Sequence, residues 1–124
     1  MMTHEGAQRF ASRWAESWNR RDVEAVLEHF HDEVTFTSPT ALVVVGSAKV
    51  QGKPALRDYW NTAMKRIASL RFIVDRIAWD AESGELAIIY TATIDGNSRR
   101  VSENLKFDGA GLVVSAEVFH GAPA

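Results

Sequence analysis

Cysteine is absent from these 124 residues, which excludes disulfides, thiolate catalysis and thiolate metal sites. No Lys/Arg cluster exceeds a pair, as in Arg20-Arg21, Lys65-Arg66 and Arg99-Arg100, and the formal net charge is -2. Such a chain has no general attraction for nucleic acid or an anionic membrane surface. The longest apolar run, ALVVV at 41–45, is far too short to span a bilayer. There is no GxSxG elbow, no GxGxxG or GxxxxGKS phosphate loop, and no HExxH or DxDxDG element. The sequence therefore predicts no metal and no cofactor. The opening MMTHEGAQRF lacks the apolar stretch of a signal peptide, so the expected location is cytoplasmic.

What is present is an ordinary globular composition, 46% apolar and 24% charged, in a length that suits one domain over 1–124. Phe10, Ala11, Trp14, Ala15 and Trp18 recur at helical spacing and predict a first helix from near His4 to Trp18. Asp22 reads as the N-cap of a short second helix with Val23, Val26, Leu27 and Phe30 on its inner face. VTFT at 34–37 reads as a strand that turns at Ser38, because Pro39 forces its predecessor out of the helical region. Residues 40–52 are expected to form an irregular flap with a strand-like VVV core, acting as a lid or as part of a dimer contact. Pro54 near a first helical position opens a third helix, with Leu56, Tyr59, Trp60, Ala63, Met64 and Ile67 as its buried stripe.

From Leu70 the apolar period changes to two. Strands are expected over 70–80, 86–94, 98–107 and 112–120, joined by the turn compositions AESGE, DGN and DGAG. Helices first and strands last is the α+β pattern. No linker, repeat or low-complexity segment interrupts it.

Three stretches, WNRRDVEAVLEHFHDEVTFTSP (18–39), GKPALRDYW (52–60) and LKFDGAGLVVSAEVFHG (105–121), resemble the nuclear transport factor two-like superfamily, and within it the SnoaL-like branch. The resemblance covers nearly the whole chain. It implies a cone-shaped α+β barrel, with three N-terminal helices packed on a strongly curved antiparallel sheet and an apolar pocket inside. It also implies a homodimer through the sheet's outer face, which the expected outward positions of Val113 and Phe119 would support. The fold hosts isomerases, cyclases, hydrolases, dehydratases and non-catalytic domains, so it does not fix an activity.

Comparison with ketosteroid isomerase, a catalytic member of that superfamily, places Glu103 where the isomerase holds a protonated acid against an oxyanion. Ser38 stands where its general base should be, Trp14 replaces its oxyanion tyrosine, and Trp60 replaces a supporting tyrosine. Serine cannot serve as that base, and an indole donates but does not accept. The isomerase reaction is therefore set aside and the pocket is kept.

Glu103 shares a strand face with Val101, Leu105 and Phe107. Apolar walls would raise its pKa toward neutrality and suit it to proton transfer; a structural pairing with Arg99 on the same face is the alternative. His120 ends the apolar face of the last strand, Leu112, Val114, Ala116 and Val118, and would open into the same cavity, or else be solvated at the strand's end. His29 and His31 are expected at a helix end, where the helix dipole accounts for them. Trp14, Trp18, Ser38, Tyr59, Trp60 and Tyr90 complete the expected ligand-binding set, whose aromatic walls and few polar tips suit a flat hydrophobic molecule carrying one or two oxygens. Three readings follow: an acid–base enzyme using Glu103 and His120, a non-catalytic binding protein, and a dimeric interaction module.

Overall fold

The computed structural model describes residues 2–124. Helix α1 (His4–Asn19) begins where the Thr3 hydroxyl accepts from the Gly6 amide at 3.0 Å. Ala7, Ala11, Trp14, Ala15 and Trp18 form its buried stripe, the spacing one helical face requires. It ends at Arg20, and Arg21 reverses the chain in the left-handed region, with φ 58°. Helix α2 (Val23–Leu27) is capped by the Asp22 carboxylate, which accepts from Ala25 N at 3.1 Å. Such a cap stabilises a helix by about 1 kcal/mol.

The expected second helix runs too far. Strand β1 (Phe30–Thr37) starts at Phe30, so His31 lies on a strand rather than at a helix end. Its Nδ1 accepts from Glu33 N at 3.0 Å, and the dipole explanation does not apply to it. The flap is also different from expectation. Residues Pro39–Val45 form a helix, α3, followed by strand β2 (Lys49–Gln51). The Ser38 hydroxyl accepts from Thr40 N at 3.2 Å, Pro39 occupies the first turn, and Gly46 ends the helix at φ 80°. These start and stop signals outweigh the low helix propensity of three consecutive valines. Four helices, not three, therefore lie before the meander; the last is α4 (Lys53–Lys65).

Strands β3 (Leu70–Asp80), β4 (Glu85–Ile94), β5 (Asn97–Phe107) and β6 (Val113–Pro123) follow as expected, every end within three residues. The six strands make one curved sheet in the order β2-β1-β6-β5-β4-β3. The α+β expectation, with helices on a curved sheet, is correct. The sheet is open, however, and β1 runs parallel to β6 while the other neighbours are antiparallel.

Inside the curve, Leu27, Phe30, Leu56, Leu86, Ile88 and Leu105 are fully buried. Truncating one of these to alanine would cost about 2–5 kcal/mol. At the meander's exposed edge, the Asn19 side chain accepts from Phe72 N at 2.7 Å and donates to Phe72 O at 3.0 Å. One amide thus satisfies both backbone groups of an edge-strand residue and ties α1 to β3. Val113, expected outside, is fully buried. A register shift pairs Phe107 with Val113 but Lys106 with Ser115, and a bulge of this kind moves a side chain to the other face. Phe119 is exposed as expected, at 53%.

Candidate functional site

The paired registers of β3 to β6 arrange the inward residues in rows. Ile88, Glu103 and Val118 form one row; Tyr90, Val101 and His120 the next; Ala92 and Arg99 the next; Leu70 and Ile94 the last. A cavity of about 190 Å³ lies over these rows. Trp18, Trp60, Tyr59, Phe36, Met64 and Phe72 close it from the helices and the sheet, and Val44 of α3 adds to its wall. The expected flap therefore does border the cavity, as a helix.

Glu103 is at the deep end. It is 4% exposed, and its Oε1 accepts from the Tyr90 hydroxyl at 3.1 Å. Burial raises its pKa to about 7, against a smaller lowering from the Tyr90 hydrogen bond. Burial disfavours the charged form, and one donated hydrogen bond restores only part of that loss. The Arg99 pairing does not occur. Arg99 instead donates from Nη1 to His120 Nδ1 at 2.8 Å.

That contact fixes the histidine's chemistry. A guanidinium has no acceptor, so Nδ1 must supply the lone pair, and the neutral ring then carries its hydrogen on Nε2. Burial first, and the Arg99 charge second, hold the His120 pKa below its usual 6.5. His120 lines the cavity near its rim as a neutral donor whose lone pair is committed.

Tyr59 and Ser38 face the same space. Burial pushes the Tyr59 phenol up to about 12, with the Ser38 hydroxyl opposing the shift. Burial also raises Tyr90 well above its usual value, with the Glu103 charge contributing. Both phenols are therefore donors at every ordinary pH. Ser38, at the position of the isomerase base, is buried and caps α3, so it offers no proton acceptor of that kind.

Of the expected set, Trp18, Ser38, Tyr59, Trp60, Tyr90, Glu103 and His120 all line the cavity. Trp14 does not. It lies in the core behind the wall, stacked on Phe72 at 5.5 Å and edge-on to Tyr90 at 5.0 Å between ring centres. The phenol beside the acid comes from β4 rather than from α1. Helical spacing put Trp14 and Trp18 on one face, but only the C-terminal turn of α1 reaches the cavity. Sequence reasoning missed Phe36, Phe72 and Arg66 in the wall. Phe36 and Phe72 had the alternation of their strands as a signal; nothing in the local pattern marked Arg66.

No group of three His, Asp or Glu side chains among the described residues is arranged to hold a metal ion. No helix among them is long and apolar enough to cross a membrane.

The model of the SnoaL-like domain family matches residues 11–117. A SnoaL-like protein of unknown function from Burkholderia thailandensis E264 is 28% identical over 98% of both chains, with a TM-score of 0.87. A Kribbella flavida DSM 17836 protein proposed to be a ketosteroid isomerase is 16% identical, covering 94% of this chain and 78% of its own, at TM-score 0.74. AclR of Streptomyces galilaeus, proposed to be a hydroxylase, is 17% identical over 96% of this chain and 91% of its own, at TM-score 0.73. At those identities the last two show a common fold. A search of the curated proteins finds no match to the chain.

Proposed function

This chain belongs to the SnoaL-like domain family, and we propose that its cavity takes a hydrophobic, oxygen-bearing small molecule on which Glu103 acts as the proton donor. The observation that carries this reading is a carboxyl group buried among apolar walls, with Tyr90 as its one hydrogen-bond partner and a pKa of about 7. Near neutrality such a group retains a proton that it can give to a ligand oxygen. The Tyr90 hydroxyl occupies Oε1, which leaves Oε2 for the ligand. The reaction class is acid–base chemistry on that ligand: isomerisation, cyclisation, dehydration or epoxide hydrolysis. His120 is the candidate base, and it can accept a proton at Nδ1 only after Arg99 moves away.

That last requirement favours a second reading, in which the same cavity holds a hydrophobic metabolite without converting it. With Ser38 capping α3 and the His120 lone pair held by Arg99, the wall is rich in donors and poor in bases. We also propose that the protein is a homodimer through the sheet's outer face.

The test is to incubate the protein with cyclic enones, lactones, β-keto esters and epoxides in deuterated water and follow binding and conversion by NMR. Conversion or deuterium incorporation that disappears in Glu103→Gln supports the acid role. Saturable binding with neither supports the holding role. Failure of every compound to bind rules out both.

A further inference from the structure

The far end of the cavity from Glu103 carries cationic side chains that no salt bridge among the described residues pairs. Arg66, at the C-terminal end of α4, is part of the wall. Arg99 stands on the inner face of β5, one row outside His120, and holds that ring through Nδ1. The salt bridges among the described residues are Arg57–Glu24, Arg76–Asp75, Arg100–Asp75 and Lys106–Glu85; neither Arg66 nor Arg99 belongs to one. Asp95, the carboxylate of the adjoining β4–β5 turn, accepts from Ala68 N at 2.8 Å and Ser69 N at 2.9 Å and forms no ion pair with either arginine. Glu103 is the one carboxylate in the wall among the described residues, and it lies two rows deeper than Arg99.

The turn that carries Arg66 is also held rigidly. The Arg21 guanidinium donates to the carbonyls of Met64, Ile67 and Ala68 at 2.5, 3.0 and 3.2 Å. Asp95 binds the amides of the same turn. Arg21 and Asp95 are the two non-glycine residues with positive φ among the described residues, 58° and 51°; Asp before Gly takes this conformation readily in a hairpin turn, whereas Arg21 is held there by its surroundings. The backbone that carries Arg66 is therefore held in place at the cavity's rim.

We propose, building on the ligand-binding reading above, that the ligand is an amphipathic carboxylic acid. Its carboxylate sits at the rim with Arg66, Arg99 and the His120 Nε2 hydrogen, and its apolar body lies along Trp18, Trp60 and Phe72. A carbonyl or hydroxyl oxygen at its other end meets the Glu103–Tyr90 pair. The charge pattern is what selects this class. A neutral ligand leaves the guanidinium groups without a counter-charge, whereas a carboxylate accepts from their paired N–H groups. A cationic ligand is repelled by the two guanidinium groups. Residues four apart on a strand are about 13 Å apart, so the separation of Arg99 from Glu103 also selects an elongated acid, with its oxygens at opposite ends.

The experiment is calorimetric titration of the protein with phenylacetate, phenylbutanoate and hydroxyphenylbutanoate, each against its own primary amide, at low and high salt. The pairs match in shape and differ in charge. The expected result is that the acid binds about tenfold tighter than its amide at low salt. The preference should shrink at high salt and vanish in the double variant Arg66→Met/Arg99→Met, which should lose more affinity for the acid than for the amide. Both side chains are exposed, so that variant is expected to fold, and an unchanged circular dichroism spectrum checks it. Equal binding of acid and amide, or a preference that survives the double variant, overturns this inference and leaves the cavity reading standing. If no member of either series binds, the cavity reading itself falls, and the inference with it.

Discussion

The Tyr90 hydroxyl and Glu103 Oε1, on neighbouring strands and both buried, are joined at 3.1 Å. The carboxyl thus has a fixed orientation in a site where its charged form is disfavoured. Its titration should be visible in the stability of the whole protein.

The sign follows from the two pKa values. In the unfolded chain Glu103 titrates near 4.5, and in the folded chain near 7. Between those values the native state binds more protons than the unfolded one, so stability falls as pH rises. The contribution is fully present below about pH 4.5 and lost by about pH 7. Each tenfold change in proton affinity is worth about 1.4 kcal/mol, so the effect is on the order of 3 kcal/mol. Glu103→Gln has no charge to bury, and its urea-unfolding free energy should be flatter across that window than wild type's. Parallel pH profiles for the two proteins would show that the carboxyl is solvated.

Tyr90→Phe should move the same titration upward. The phenol stabilises the carboxylate by donating to it, and its removal leaves burial unopposed. The side-chain carboxyl resonance of Glu103 should titrate above about 7 in the variant, with about 1 kcal/mol lost from stability for the missing hydrogen bond. A midpoint that falls or stays put would contradict the pairing.

The buried Glu103 was legible in the sequence because alternation along β5 is uninterrupted from Val101 to Phe107, so one period-two count places four side chains. β6 shows where that method fails. The register shift near Val113 changes which face the first residues occupy, and no residue type announces it. The contact between Arg99 and His120 lies beside a second shift in the same strand pair, which the sequence also does not announce. Helix α3 was different. Its Ser-Pro start and Gly46 stop were readable, but three β-branched valines argued for a strand, and the caps prevailed. Trp14 was placed on the right helix face and at the wrong depth, because helical spacing gives direction and not distance from a cavity.

Arg21→Ala should loosen the turn after α4. The substitution removes three hydrogen bonds to carbonyls and keeps a left-handed backbone in a residue that disfavours it. A loss of about 2 kcal/mol is expected. Amide exchange should quicken in residues 64–70 more than in β5, where the chain is paired on both sides. Uniform acceleration would mean that Arg21 supports the whole fold rather than this turn.

The proposed dimer makes its own prediction through Phe119. It is exposed on the outer face, in one cross-strand row with Ser102 and Ile89, and Ile73 on β3 is exposed as well. Polar and charged side chains surround them: Ser102, Asn104, Thr91, Glu117 and the Arg100–Asp75 ion pair. An outer face of this kind can pack against its own two-fold copy, with the aromatic ring as the central anchor. Phe119→Asp would place two like charges in such a contact. Sedimentation should then show a dimer for wild type and a monomer for the variant. The variant's cavity should be unaffected, since Phe119 points away from it, and its ligand affinities should match wild type's. A wild-type protein that sediments as a monomer at high concentration would remove the dimer, and would leave Phe119 and Ile73 as isolated exposed side chains of a sort that soluble proteins tolerate.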